Sequence, residues 1–399
     1  MYRFVDNIEP AAHDVFVLGS PQNNLLQSAG WARVKTGWDH AFVGVFDGDE
    51  QVAGALVLIK RLPLSFTMMY VPRGPVMDYG NRELVLFFFR ALKDWAKKQR
   101  CLFVKVDPNL VYARHHEEEE KEISKEVSRA IDHLAAAGLR HLGFTTGMSA
   151  TIQPRFQMQC LGAEYGEEHF TGKGKKNYRI AVKNGHFTTI RAGKEKMDDF
   201  ARVMGCTIER KGVALRDREY YELLLDTYGE DAYLTLTYLD LKSMYDEVFS
   251  RYRQCVSDLN QCPESAPKKR AKLEETLESL TRREKNYGEY LVKYGDSVCV
   301  AGTLTVMYGD TGELLYAGAD NDFRRLQAPY LTWDAAMRET FAEGRAWANM
   351  GGISGLEGDG LETFKRSFHP YIFEYAGEFD LPVMKPLYGL AKKLYESRK

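Results

Sequence analysis

Residues 66–108 read FTMMYVPRGPVMDYGNRELVLFFFRALKDWAKKQRCLFVKVDP. The stretch divides into three parts by chemistry. An apolar, β-forming run (FTMMYV) is punctuated by PRGP; then Leu84, Phe88, Ala91 and Trp95 recur at helical spacing; then CLFVKVDP returns to a short apolar run. Upstream, HAFVGVFDGDEQVAGALVLIKRLP reads as two strands around a DGDE turn. The unit is therefore a three-stranded meander, a helix and a further strand.

The same series returns late in the chain. SVCVAGTLTVMYGD and GELLYAG read as strands, a helix carries Tyr330, Trp333, Met337 and Phe341, and RAWANMGGI follows as a strand. VAG at Val52 recurs at Val300, MMY ending at Tyr70 lines up with LLY ending at Tyr316, and Trp95 and Phe341 close their helices in register. Two copies of one α/β unit is the economical reading. Between them, Leu241, Met244, Val248, Tyr252, Cys255 and Leu259 step by threes and fours, QCPESAP breaks the pattern, and Leu273, Leu277, Leu280, Tyr287 and Leu291 resume it. This predicts an antiparallel coiled-coil helical arm. The expected division is a first subdomain at 1–150, a second at 151–238 and 294–399, and the arm at 239–293.

Across its 399 residues the chain carries 54 Lys plus Arg against 56 Asp plus Glu, so any contact with a polyanion must come from a local patch. Six scattered cysteines form no CxxC pair, which predicts free thiols, no metal site and a reducing compartment. No apolar run reaches the ~20 residues that span a bilayer. MYRFVDNIEP at the start lacks the basic-then-apolar pattern of a secretory leader, so the expectation is a cytoplasmic protein. HHEEEEKEISKEVSRAIDHLAAAG predicts a solvated helix with Ile123, Val127 and Leu134 facing the core.

Meander, helix, strand, repeated, fits acyltransferases of the Gcn5-related N-acetyltransferase type. Such enzymes hold coenzyme A pyrophosphate on a glycine-containing loop at a helix amino end. Before the two main helices this chain reads VPRGPVMDYGNREL and ADNDFRRLQAPYLTW, neither of which fits that pattern, and QSAGWA (Gln27–Ala32), which does, comes before the meander. Coenzyme A is therefore not expected, and no other cofactor is indicated. The densest cationic stretch is TGKGKKNYRIAVKNGHFTTIRAGKEK, residues 171–196, containing Lys173, Lys175, Lys176, Arg179 and Lys183 with Tyr178, His186 and Phe187 interleaved. It suits RNA phosphates and bases, or is simply a charged surface; the residues leave both open.

NLLQSAGWARVKTGWDH, MYVPRGPVMDYGNREL, LFVKVDPNL, TIQPRFQMQC, RKGVALRDREYY and GLETFKRSFHPYIFEYAGEFDLPVMKPLYGLAKKLY together resemble the Fem family of peptidoglycan-bridge aminoacyltransferases (FemA, FemX and MurM type), over nearly the whole chain. The resemblance implies two Gcn5-related subdomains with an inserted arm. It also implies transfer of an amino acid (Ala, Ser or Gly) from aminoacyl-tRNA to the third stem-peptide residue, or to a bridge already begun, of lipid II or its nucleotide-linked muropeptide precursor. Peripheral contact with the cytoplasmic membrane face would follow.

It further implies that Lys35 and Trp38 (WARVKTGW) and Arg216 and Tyr220 (ALRDREYY) bind the precursor, Arg218 and Arg210 being close alternatives to Arg216. Helical i, i+4 spacing would put Arg216 and Tyr220 on one face. Lys365, in GLETFKRSFHP, matches the family lysine that follows the glycine-rich run, where a fixed ammonium stabilises an oxyanion. The competing reading is a surface lysine at a helix start. Asp107 falls where the family often has an acidic residue, as a general base or as a cap on the turn before Pro108. Two rivals share parts of this pattern: a tRNA-dependent transferase acting on protein amino termini, and a non-catalytic tRNA-binding adaptor.

Overall fold

The computed structural model describes residues 1–117, 119–211, 216–355 and 360–397. The first half runs β1 (Tyr2–Val5), α1 (Pro10–Leu18), α2 (Ala29–Val34), β2 (Asp39–Asp47), β3 (Glu50–Arg61), β4 (Thr67–Arg73), β5 (Val76–Met77), α3 (Arg82–Lys98), β6 (Cys101–Pro108), β7 (Val111–His115), α4 (Lys125–Ala136) and β8 (Arg140–His141). The second half starts with β9 (Phe156–Leu161), α5 (Gly172–Asn184), β10 (Phe187–Ala192), α6 (Met197–Lys211), α7 (Arg218–Tyr228) and β11 (Ala232–Asp240). Two helices follow, α8 (Leu241–Asn260) and α9 (Pro267–Tyr294). The chain then continues through β12 (Ser297–Tyr308), β13 (Thr311–Ala319), α10 (Ala328–Ala342), β14 (Trp347–Ile353), α11 (Gly360–Arg366), β15 (Tyr371–Tyr375), β16 (Phe379–Pro382) and α12 (Lys385–Glu396).

The fold is mixed α/β with two sheets, ordered β1-β2-β3-β4-β6-β16-β8, with β5 against β3, and β10-β11-β12-β13-β14-β9-β15-β7. Each contains an antiparallel meander followed, after one helix, by a parallel neighbour: β4 with β6 around α3, and β13 with β14 around α10. The repeat legible in sequence is thus a repeat of topology. The halves also trade strands. β7, from within residues 1–150, pairs with β15 in the second sheet, while β16, from the carboxy-terminal end, pairs with β6 in the first.

Strand alternation explains the packing. On β3, Ala53, Ala55, Val57 and Ile59 face α3 and its Phe88 and Phe89, whereas Leu56 and Leu58 face the other way. There they meet Leu234, Leu236, Leu304 and Val306 of the second sheet together with residues of α2, α6 and α7. The two halves therefore share one apolar layer.

Helices α8 and α9 pack on each other as a hairpin: Tyr245 bonds Glu284 at 2.9 Å and the Cys255 thiol lies against the Leu273 carbonyl at 3.5 Å. Val248, Cys255 and Leu280 are buried in the seam, and Leu241 and Met244 root it beside Phe323. The acidic run is not helical as expected. Ser124 caps α4, its side chain accepting from Val127, so the helix starts only at Lys125; Val127 and Leu134 are buried but Ile123 is 46% exposed. No helix among the described residues is long and apolar enough to cross a membrane.

Candidate active site

Lys35 ends α2, where the chain turns out of the helix, and its ammonium lies 4.3 Å from the Trp31 ring centre and 3.4 Å from the Tyr220 hydroxyl. Arg216 sits 5.0 Å over the Tyr220 ring. It does so from the segment before α7, not from the helix, because Asp217 is the cap and the helix begins at Arg218. Tyr316, from β13, completes the group, its ring edge-on to that of Tyr220 at 6.1 Å. Burial, and then repulsion from Arg216, lower the Lys35 pKa to about 8.

Lys35, Arg216 and Tyr220 are thus brought together across the two halves; Trp38 is not part of the stack. Its ring lies 5.5 Å from Lys60, and Trp31 takes the place beside Lys35. Arg218 is engaged elsewhere, by Asp198 and Glu222, and the Arg210 side chain lies outside the described residues. Two neighbouring cations with aromatic walls have the charge with which an anion such as phosphate pairs.

Asp107, on β6, is 2% exposed. It caps no turn: its carboxylate accepts from the Tyr70 hydroxyl at 2.9 Å and from the backbone N–H of Arg73 at 2.8 Å. Burial raises its pKa to about 7 against the opposing pull of Arg73. Arg73 itself is left-handed (φ 49°), ending β4 so that its guanidinium crosses to the second half. There it bonds the Pro154 carbonyl at 2.9 Å and stacks 4.0 Å from the centre of the Tyr375 ring. Glu313, buried on β13, also feels Arg73 and is likewise raised by burial to about 7.

Beside Glu313 in the ladder lies Asn349, which donates to Gln157 (3.0 Å) and accepts from the N–H of Gly351 (2.8 Å). Gly351 (φ +81°) lies in the register shift between Asn349 and Gly352, where β14 bulges before its pairing with β9 resumes. A side chain there would approach the Lys365 ammonium, at 3.8 Å.

Lys365 is 4% exposed and donates to the Gly352 carbonyl at 2.9 Å. It is not a surface charge at a helix start: α11 begins at Gly360, so Lys365 lies in the last turn, where a cation is favoured. The flanking phenylalanines explain its placement. Phe364 packs edge-on against Tyr330 (4.8 Å) and Trp333 (5.3 Å), and Phe368 is buried beside Phe170. Anchored on both sides, α11 holds its lysine against the β14 bulge. Arg73, Glu313, Asn349 and Gly351 line the stretch between Asp107 and Lys365. These residues escaped the sequence reading, although Glu313 and Asn349 are polar groups inside apolar strand runs, which is a usable signal.

The cationic stretch forms α5 and the edge strand β10. Lys173, Lys176, Arg179 and Lys183 are exposed and Lys175 is half-buried. Arg179 pairs with Glu167 at 2.9 Å, Arg191 with Glu339 and Glu343, and Lys194 with Asp226, which narrows the cationic surface to the lysines of α5. The start of α5 lies against the end of α11: a Cβ at Gly174 would fall 2.2 Å from the Ser367 carbonyl oxygen, so only glycine permits that approach. QSAGWA is structural, with the Gln27 side chain bonded to Pro72 O (2.5 Å) and Leu56 N (2.9 Å). Among the described residues no group of three or more His, Cys, Asp or Glu is placed to hold a metal ion.

The chain is 29% identical over 411 residues to a lipid II:glycine glycyltransferase of Staphylococcus haemolyticus, covering 97% of this chain and 95% of that one. It is 29% identical over 414 residues to a lipid II:glycine glycyltransferase of Staphylococcus aureus (strain MRSA252), covering 96% and 93%. Among solved structures, FemX superposes with a TM-score of 0.75 at 26% identity, over 97% of this chain and 99% of FemX. A tandem GNAT protein from the clavulanic acid biosynthesis pathway shares the fold at a TM-score of 0.51 and 9% identity, over 96% and 99%. The FemAB family model matches residues 8–396, and the chain belongs to that family.

Proposed function

We propose that this protein is a peptidoglycan-bridge aminoacyltransferase. It takes an amino acid from aminoacyl-tRNA and joins it to lipid II, at the third-residue side-chain amine or at the amine of a bridge already begun. The donated residue is a small one, glycine ahead of alanine or serine, because the relatives similar over nearly the full chain are named glycine glycyltransferases. The observation that carries the reading is the pairing of Lys35 with Arg216 on Tyr220, two cations on one ring, with the Lys35 pKa lowered first by burial and then by Arg216. An arrangement that repels itself when empty is suited to binding the precursor's phosphates.

In the reaction the acceptor amine attacks the ester carbonyl of the charged tRNA, a C–N bond forms, and the C–O bond to the ribose breaks. The Lys365 ammonium stabilises the oxyanion and gives a proton to the departing ribose oxygen, which leaves as the free hydroxyl. Asp107, with its pKa near 7, takes the amine's proton. The α5 lysines Lys173, Lys175, Lys176 and Lys183 receive tRNA phosphates, Arg179 contributing less because Glu167 holds it. The α8–α9 hairpin is a coiled-coil arm, and the protein works at the inner face of the membrane.

The test is incubation of purified protein with lipid II, or with the nucleotide-linked precursor, and tRNA charged with labelled glycine, alanine or serine. Label is expected in the precursor, most from glycyl-tRNA. Failure with all three donors and both acceptors overturns the proposal.

A further inference from the structure

We infer that α12 and the β3–β4 turn form a face that docks on an anionic lipid bilayer. The inference rests on the proposed function only for the need to meet a lipid-linked acceptor; the surface itself is argued from its residues.

The apolar arc of α12 is wider than the strip it buries. Tyr388, Ala391 and Tyr395 pack inward on Met68, Leu102 and Phe103. Leu387, Leu390 and Leu394, at i, i+3 and i+7, form a second stripe exposed by 38%, 62% and 54%. Beside this helix, the turn between β3 and β4 inserts Leu62 and Phe66 into the same small core and leaves Leu64 at its tip, 82% exposed.

Cations lie on α12 and on the elements beside it. Lys385 and Lys393 are exposed on α12, and Lys392 lies 3.9 Å from the buried Asp380. Lys93 of α3 is near enough to Lys385 and Lys97 to be repelled by both, with Asp94 the acidic group acting against this. Arg100 bonds the Leu64 carbonyl at 3.2 Å and stacks on Phe66, and Arg61 is paired with Asp39. Exposed leucines with lysine and arginine on the same helix and on the turn beside it match a bilayer surface, where apolar side chains enter the acyl boundary and cations meet anionic headgroups. This complementarity selects an anionic membrane as the occupant over a neutral one.

The experiment is flotation of the full chain with phosphatidylcholine vesicles, with and without phosphatidylglycerol, in the absence of any precursor. Binding is expected only to the anionic vesicles and is expected to weaken with salt. Leu387→Ser/Leu390→Ser/Leu394→Ser should lower the partition coefficient at least tenfold, and Lys385→Gln/Lys393→Gln several-fold. Both variants should keep wild-type transfer to the soluble nucleotide-linked precursor, which also reports folding; Leu390→Glu alone serves if the triple variant does not fold.

No binding of the wild type, or equal binding by the leucine variants, overturns the inference. So does a wild-type dimer that the leucine variants convert to monomer without loss of vesicle binding. Absent vesicle binding with intact precursor transfer overturns this face alone, and vesicle binding without any transfer overturns the catalytic reading alone.

Discussion

The Lys35 ammonium donates to the Tyr220 hydroxyl at 3.4 Å, joining a residue of the first half to one of the second. If this pair with Arg216 binds precursor phosphate, Lys35→Met and Arg216→Met each remove a charged hydrogen bond, for which ~1.5–3 kcal/mol corresponds to about 10–150-fold in affinity. The expected result is a raised KM for the precursor with kcat little changed.

The pH dependence has a definite sign. The folded-state pKa of Lys35, about 8, lies below the ordinary lysine value, so the charged form is disfavoured by folding. Precursor affinity should fall as pH rises through about 8. Stability should rise over the window above that pKa, where the unfolded chain holds a proton that the native one has released. Lys35→Met should therefore not lower the thermal midpoint at neutral pH. A lower midpoint with unchanged KM would make Lys35 a packing residue only.

Asp107 carries the opposite signature. Its folded pKa is raised to about 7, so between the ordinary carboxylate value and that pKa the native state holds a proton that the unfolded state has lost. Stability from this group declines as pH rises through that window. Asp107→Asn should leave the thermal midpoint at pH 8 equal or higher while lowering kcat by about 10²–10⁴, the range of general-base catalysis. It should also abolish an acid limb near pH 7 in the kcat profile. Glu313 titrates in the same range. If Glu313→Gln rather than Asp107→Asn removes that limb, the base has been misassigned.

Much of the architecture was legible because it depends on local pattern: strand alternation, helical spacing at Phe88 and Trp95, and the paired apolar seams of α8 and α9. The Lys35 and Arg216 pairing was legible through family resemblance but not its geometry. Trp31, not Trp38, stacks on the lysine because the chain turns sharply at Lys35, and Arg216 reaches Tyr220 from outside the helix. Arg73 was hidden for a different reason. Its role follows from a left-handed backbone that sends the side chain between sheets, and no periodicity encodes that. The strand trade was equally invisible, since β7 and β16 find their partners only when both sheets exist.

Lys365 should behave as a transition-state group. It is buried against the Gly352 carbonyl with its helix fixed by Phe364 and Phe368, so Lys365→Met should reduce kcat by about 10²–10³ and change KM little. Lys365→Arg should rescue poorly, because the buried site holds an ammonium and a planar guanidinium is bulkier. Single-turnover transfer from charged tRNA, with precursor saturating, measures the step directly. An unchanged single-turnover rate in Lys365→Met would remove the residue from the chemistry.

The α5 surface makes a prediction about salt. Each phosphate neutralised by a lysine contributes about 0.7–0.9 to the slope of log affinity against log salt. Replacing Lys173, Lys176 and Lys183 by glutamine should therefore flatten the slope for tRNA by up to about 2–3. Arg179→Gln should change it far less, because the Arg179 guanidinium already rests on Glu167 at 2.9 Å. Filter binding of tRNA across a salt series separates the cases. An equal effect from Arg179→Gln would mean that Glu167 gives up its partner to the RNA, and an unaltered slope in the triple variant would move the tRNA contact away from α5.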